Sequence, residues 1–584
     1  MSLFDVLNLI GGLSLFLFGM TLMGNALEKR AGSGLKTLLS KLTTGKMMGF
    51  LTGLGITAII QSSSATTVMV VGFVNSGLMT LKQAINVIMG ANVGTTVTAW
   101  ILSLTSISGP SLILQLLKPS SFTPVLALIG VVLLMMSKDG KKKDTGMILL
   151  GFATLMYGME TMSDAVAGLK SVPEFQNILL MFSNPILGVA AGAVLTAVIQ
   201  SSSASVGILQ ALASTGQVTF GTAIPIIMGQ NIGTCVTAML SAVGANKNAR
   251  RAAVVHLCIN IIGTVVWLTV FVVLNSVLKF AFVHEAANAL GIAVVHTTFK
   301  LLCTALLLPM AELLERLSYR IIKENDSKDQ KSELDERLMT TPAIAVDRCK
   351  VVTEEMAVLS VNIMRDAIKT LSSYDKAVAE AIRKGEDKAD HYEDILGTYL
   401  VKLSTCEMSD QDNRDAAKLL RLIGDFERIS DHAVNVLESA EEIRDKNILF
   451  SAPAQKELRV MTDAVRECLD MAMTAFLHNN VSLAAQIEPL EQVVDSLKDQ
   501  LRARHILRLQ RGECSIEAGF VWNDLLTSLE RVADHCSNIA GCIIEMGHAS
   551  LDLHAYLSGF KANNPVFLEK YDDYTKKYAL EEMN

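Results

Sequence analysis

Two short polar runs, Gln61-Ser62-Ser63-Ser64-Ala65-Thr66-Thr67 and Gln200-Ser201-Ser202-Ser203-Ala204-Ser205, each lie between apolar stretches long enough to sit in a membrane. Hydroxyl and backbone groups left unpaired in hydrocarbon are costly, so such loops must face protein or a water-filled cavity, which points to a transport or binding site. A half-helix that begins at mid-membrane leaves unpaired N–H groups and a positive dipole end there. Two of them aimed at one point suit an oxyanion. Ser62, Ser63, Ser64, Ser201, Ser202 and Ser203 add hydroxyl donors, and Gln61 and Gln200 add amides that reach the ligand or brace the opposite loop. The same hydroxyls and carbonyls can accept, and neutral oxygens of that kind suit Na+. The inner segments of the repeats hold no Lys or Arg, so dipoles, hydroxyls and a co-bound cation would have to meet the anion's charge. Small residues also let membrane helices pack closely, and a single Ser-Ser-Ser run would fit that role equally well.

The loops do not stand alone. At the same offset of 139 residues, Gly90-Ala91-Asn92-Val93-Gly94-Thr95 matches Gly229-Gln230-Asn231-Ile232-Gly233-Thr234, and Phe18-Gly19-Met20 matches Tyr157-Gly158-Met159. A unit of about a hundred residues therefore occurs twice. Two glycines around an amide predict a point where the crossing helix unwinds beside the serine loop. A spanning helix needs about 20 apolar residues, and segments near 4–25, 83–107, 122–137, 145–163, 219–243, 252–275 and 289–311 approach this. Segments 47–79 and 184–215 are broken at the serine loops and read as re-entrant hairpins.

Basic residues orient the array. Lys29, Arg30, Lys36, Lys41 and Lys46, then Lys138 and Lys141 to Lys143, then Lys247, Arg250 and Arg251 are expected on the cytoplasmic side. The loop in repeat two that corresponds to the first cluster has only Lys170 and Glu174. Repeat one then starts outside and repeat two inside, so the repeats are inverted, a pattern found in transporters with broken helices. The first segment lacks a basic start and a cleavage site and is expected to stay in the mature chain.

The charge divides sharply. Residues 1–340 carry 23 Lys and Arg against 16 Asp and Glu, while residues 341–584 carry 28 against 42. A basic membrane part is joined to an acidic soluble part. The nine cysteines form no Cys-x-x-Cys pair, which favours free thiols. Glu160 has Thr21 as its counterpart and is expected near the outer end of its helix. His256 with Asn260, and His296 with Lys300, share helix faces at i, i+4, and both pairs stand outside the candidate site. From 345 to 548 the chain is helical and repeats again. Four acid pairs, Glu386 with Asp390, Glu427 with Asp431, Glu491 with Asp495 and Glu530 with Asp534, each project from one helix face. A solvated acidic face braced by arginines is the plainer reading of each pair alone.

The fold class expected is all-α: a polytopic membrane protein with two inverted repeats and re-entrant hairpins, followed by a helical-bundle domain. The divisions are 1–110 (repeat one), 111–143 (connecting helix and loop), 144–250 (repeat two), 251–320 (final membrane helices), 321–344 (linker), 345–548 (helical domain with two sub-repeats) and 549–584 (tail). No Walker loop, nucleophile elbow or HExxH motif is present, and no enzyme is expected.

The two Gln-Ser-Ser-Ser runs, the Gly-x-Asn-x-Gly-Thr echoes and the His256-x-x-x-Asn260 that follows resemble the type II sodium–phosphate cotransporter family, bacterial branch. In that branch a PhoU-like domain follows the membrane part, and Glu427-Arg428-x-x-Asp431-His432 and Glu530-Arg531-x-x-Asp534-His535 resemble its signature. The resemblance implies Na+-coupled movement of inorganic phosphate. Gln61 to Ser64 and Gln200 to Ser203 would form the central site, with Thr66, Ser205, Asn92, Thr95, Asn231 and Thr234 as neighbours or Na+ ligands. It also implies metal ions, Fe, Zn, Mg or Mn, on the four acid pairs, and a regulatory task for that domain. Phe299-Lys300 departs from the Phe-Asn that the family leads one to expect after His296.

Bringing in a divalent phosphate against −100 mV costs about 4.6 kcal/mol, at about 2.3 kcal/mol per charge, which two Na+ would cancel. The expected partners are phosphate, Na+, the lipid bilayer and a second copy of the chain as a homodimer, with no nucleic acid. The expected location is the plasma membrane, multi-pass, with the C-terminal domain in the cytoplasm. Export of phosphate, or sensing of it without net transport, stand as alternatives.

Overall fold

The computed structural model describes residues 3–40, 45–106, 111, 115–116, 118–172, 181–182, 184–323, 334–547 and 565–581. Lys41, Glu174, residues 324–333 of the linker and 549–564 of the tail lie outside the described residues, as do the side chains of Lys36 and Lys170. The described residues are almost wholly helical and divide into two compact units, Met1–Ala345 with Glu407–Asp410, and Val346–Cys406 with Gln411–Asn584.

The first unit runs through α1 (Leu3–Ser40), α2 (Lys46–Ile60), α3 (Ser63–Asn75), α4 (Leu81–Gly94), α5 (Thr96–Ser103), α6 (Pro119–Met136), α7 (Gly140–Ala167), α8 (Pro185–Ile199), α9 (Ser202–Ala213), α10 (Phe220–Gly233), α11 (Cys235–Ser241), α12 (Lys247–Leu278), α13 (Ala289–Leu307) and α14 (Ala311–Ile321). The duplication shows element by element: α1 to α5 correspond in order to α7 to α11. Among the described residues six stretches are long and apolar enough to cross a membrane, at Leu3–Ala31, Leu81–Ser103, Pro119–Met136, Phe220–Ser241, Lys247–Leu278 and Ala289–Leu307. The expected span at 145–163 lies inside α7, which is diluted by glycines that serve another purpose. An added Cβ at Gly158 would stand 2.4 Å from the backbone of Phe16, and one at Gly19 would stand 2.3 Å from that of Leu155, so α1 and α7 touch backbone to backbone. The recurring Phe-Gly-Met and Tyr-Gly-Met triplets are thus a helix-packing device.

Each hairpin consists of two helices too short to span. At about 1.5 Å per residue, the 15 and 13 residues of α2 and α3 reach about 20 Å each, against a hydrocarbon core of about 30 Å. Their ends are chemically fixed. Asn184 caps α8 by accepting from the Ile186 N–H at 2.9 Å, with Pro185 in the first turn. Thr80 and Gln83 form a capping box that starts α4.

The second unit comprises α15 (Pro342–Thr370), α16 (Lys376–Leu403), α17 (Asp410–Asp445), α18 (Ala452–His478), α19 (Val481–Ala484), α20 (Ile487–Gln510), α21 (Ile516–Gly547) and α22 (Pro565–Lys577). Apolar residues spaced by three and four close its core, with Leu422, Phe426 and Ile429 of α17 buried in one part and Val465, Val494, Leu525 and Val532 in another. The expected tail contains a helix, α22, which packs on α20 and is held by Lys577 to Glu467 at 2.7 Å.

Candidate functional site

The serine loops are built alike. Gln61 and Gln200 end α2 and α8 in the left-handed region, at φ 60°, ψ 20° and φ 58°, ψ 20°. Non-glycine residues seldom adopt it, and observed strain of this kind gathers at functional sites. Their N–H groups donate to Thr57 O at 2.8 Å and Thr196 O at 2.7 Å, which closes each helix end. Ser62 and Ser201 then cap α3 and α9 by accepting from Ala65 N at 3.1 Å and Ala204 N at 3.2 Å. Two of the six hydroxyl oxygens are therefore already engaged as caps, each keeping its O–H to donate. The free N–H groups and dipole ends of α3 and α9 begin at Ser63 and Ser202, both buried. The second half of each hairpin packs across the repeats, α3 on α11 and α9 on α5. No hydrogen bond among the described residues joins the Gln61–Ser64 loop to the Gln200–Ser203 loop.

The Gly-x-Asn-x-Gly-Thr copies each interrupt their helix for a single residue: α4 ends at Gly94 and α5 begins at Thr96, and α10 ends at Gly233 and α11 begins at Cys235. Thr95 and Thr234 keep helical angles, φ −58°, ψ −25° and φ −60°, ψ −26°, and each hydroxyl folds back on a carbonyl four residues earlier, Ala91 O at 3.1 Å and Gln230 O at 2.9 Å. The glycines also let α4 and α10 lie on the hairpins: an added Cβ at Gly90 would stand 1.9 Å from Phe50 O, and one at Gly229 would stand 2.0 Å from Val189 O. The motif does adjoin the serine loop, since Gly94 abuts Thr57, whose hydroxyl pairs with that of Thr66 at 3.0 Å.

The copies differ in how they are satisfied. In repeat one, Gln61 is 6% exposed and accepts from the Thr98 hydroxyl at 2.9 Å, and Asn92 Oδ1 meets His256 Nε2 at 3.3 Å and Lys300 Nζ at 3.5 Å. In repeat two, Gln200 is exposed. Thr196 Oγ1, Ser205 Oγ, Gln230 Oε1, Asn231 Oδ1 and Thr237 Oγ1 are buried without a partner among the described residues.

Sequence spacing alone leaves the residues around Asn92 outside the site, and the structure brings them to it. His256, Asn260, His296 and Lys300 are all buried, with Asn260 Nδ2 donating to Cys235 Sγ at 3.3 Å, so α12 and α13 close a polar cluster around Asn92. The sequence signal for this cluster is the pair of i, i+4 spacings; its meeting point depends on helix packing. Glu160 lies elsewhere, lining a cavity of about 460 Å³ with Lys118, Asp164 and Gln210.

At its far end α3 is clamped. Asn75 donates to Asp335 Oδ2 at 2.5 Å and accepts from Asn246 N at 2.7 Å. Arg337 pairs with Asp335 at 2.9 Å and donates to Ser241 O at 2.5 Å, and fully buried Leu338 packs at Gly72. Residues 335–341, which lead into the second unit in sequence, thus hold the helix that starts at Ser63.

In the second unit the four acid pairs lie on α16, α17, α20 and α21 and form two unlike clusters. In the first, Glu386, Glu427 and Asp431 approach one another: burial, then the Asp431 charge, push Glu427 up to about 7, and burial and Asp431 raise Glu386 as well. In the second, Lys498 Nζ reaches Glu530 at 3.2 Å and Asp495 at 3.5 Å, so an ammonium already stands among the acids. Glu393 occupies the matching place in the first half, at the offset of 105 that relates Glu386 to Glu491. Among the described residues no three Asp, Glu, His or Cys side chains are placed to hold a metal ion. The metal expected on these pairs is therefore not shown.

The profile of the Na+/Pi-cotransporter family matches residues 15–164 and again 155–306, and that of the PhoU domain matches 353–440 and 458–543. The chain belongs to the Na+/Pi-cotransporter family, in a form that carries PhoU domains after the membrane part. It is 26% identical over 560 residues to a Salmonella typhimurium protein provisionally named inorganic phosphate export protein YjbB, covering 92% of this chain and 97% of that one. Over 150 residues it is 36% identical to sodium-dependent phosphate transport protein 2A of Rattus norvegicus, 24% of this chain and 23% of that one. A PhoU homologue of Thermotoga maritima is 25% identical over 189 residues, 31% of this chain and 78% of that protein.

Proposed function

We propose that the first unit is a secondary carrier that moves inorganic phosphate together with Na+ through the two serine loops. The reading rests on one observation above others: two left-handed glutamines, Gln61 and Gln200, each followed by a serine-capped helix start deep in an apolar unit. Phosphate binds the N–H groups and hydroxyls of Ser62 to Ser64 and Ser201 to Ser203, which donate to its oxygens without presenting a fixed charge. Na+ takes neutral oxygens of Thr66, Thr95, Thr196, Ser205, Asn231 and Thr234. The buried oxygens without partners in repeat two support this, because such groups cost about 1 to 3 kcal/mol each until something meets them. The second unit lies in the cytoplasm and tunes transport through residues 335–341, which grip the end of α3.

The relatives named for export favour outward transport of phosphate as the working direction, and a symmetric pair of loops serves either direction. The test is ³²P-phosphate flux in proteoliposomes with Na+ gradients of either sign. Flux in either direction that follows the Na+ gradient supports the carrier. Saturable phosphate binding with no flux under any gradient would replace it with a sensor.

A further inference from the structure

The carrier reading leaves one buried group unused. Lys300, 4% exposed in the middle of α13, directs its ammonium to Asn92 Oδ1 at 3.5 Å. No carboxylate pairs with it among the described residues. His256 shares the same Asn92 oxygen, and His296 and Cys303 lie one turn away on α13. The Nδ1 atoms of His256 and His296 are buried and have no partner. An ammonium taken out of water with no carboxylate beside it is costly unless an anion meets it. The matching position in repeat two has no such cation: Asn231 Oδ1 is buried and unpartnered.

We propose that Lys300 is the built-in counter-charge for the transported anion, holding beside Asn92 the place that a coupling cation would otherwise take. The proposal rests on the carrier reading. Its consequence is energetic as well as local. A fixed lysine does not cross the membrane, so each transport cycle carries one positive charge fewer with the phosphate. At 100 mV that charge is worth a concentration ratio of about fiftyfold, and its loss tilts a dianion's balance outward.

The test uses full-length purified protein and equilibrium binding of ³²P-phosphate in choline buffer, then with added Na+. Wild type and Lys300→Arg are expected to bind in choline. Lys300→Met should bind about tenfold or more weakly, the scale of losing a charged partner. Lys300→Asn, which replaces the ammonium with a neutral oxygen donor, should lose binding in choline and recover it as Na+ rises. In proteoliposomes held at −100 mV inside with equal Na+ on both sides, the Asn variant should accumulate phosphate to a ratio about fiftyfold above wild type. Elution as one folded species in size exclusion qualifies each variant, and the Arg and Asn variants keep the test open if Met fails to fold. Met and Asn variants that bind like wild type in choline would overturn the role of Lys300 while leaving the carrier intact. A wild type that neither binds nor moves phosphate would overturn the carrier reading itself, and with it this one.

Discussion

The two repeats share a loop and differ in its closure. Gln61 and Gln200 have the same backbone angles within 2°, and their serine caps the same geometry, yet one glutamine is bonded to Thr98 and the other is exposed. Thr57 and Thr66 are bonded to each other, whereas their counterparts Thr196 and Ser205 each end in an unpartnered hydroxyl. Asn92 is met by a histidine and a lysine, and Asn231 is met by neither. Local sequence therefore determines the shape of each half-site, while the helices packed around it decide whether its polar atoms are satisfied.

The largest expected effect is one on which the repeats should agree. Gly90→Ala and Gly229→Ala each drive a Cβ into a carbonyl of the facing hairpin helix, and each should cost about 3 kcal/mol or more, read as thermal unfolding in detergent. A repeat that tolerates the change would break the likeness. The next effect should separate them. Thr66→Val removes the partner of Thr57 and should destabilise by about 1 to 3 kcal/mol, whereas Ser205→Ala removes a hydroxyl that has no partner among the described residues and should raise stability by about 1 kcal/mol or more while raising the Na+ concentration that half-saturates flux. Equal stability losses in both variants would show that the repeats are satisfied alike.

The smallest effect extends the comparison to the halves of the second unit. Glu427, raised from 4.5 to about 7 by burial and by Asp431, holds its proton more tightly folded than unfolded. The stability it contributes is full below about 4.5 and is lost as pH rises to about 7. Glu427→Gln should remove that loss and raise the melting temperature at about pH 8 more than at about pH 4. Glu530→Gln should lower it, because Lys498 then loses the nearer of its two carboxylates. A Glu427 variant with the same pH profile as wild type would mean that the first cluster is neutralised like the second.

Much of the membrane part is legible because the chain states it twice. The offset of 139 identifies both hairpins, and the structure breaks α2 from α3 at 61–62 and α8 from α9 at 200–201. The glycines mark the interruptions at Thr95 and Thr234, but their second role, close packing on the hairpins, depends on the neighbouring helix. Lys300 is visible as a charge in an apolar helix, but its contact with Asn92 joins residues 208 apart and depends on how α13 lies on α4. The acid pairs are legible as helix faces. The lysine among the second set belongs to the same face one turn on, where counting acids alone passes over it.

The central claim is that both loops serve one coupled transport event. The most direct measurement is ³²P-phosphate flux driven by a Na+ gradient in proteoliposomes holding wild type, Ser63→Ala or Ser202→Ala. Na+-dependent flux in wild type that falls about tenfold or more in each variant is the predicted result. Flux that ignores the Na+ gradient, or that survives both substitutions, would contradict it.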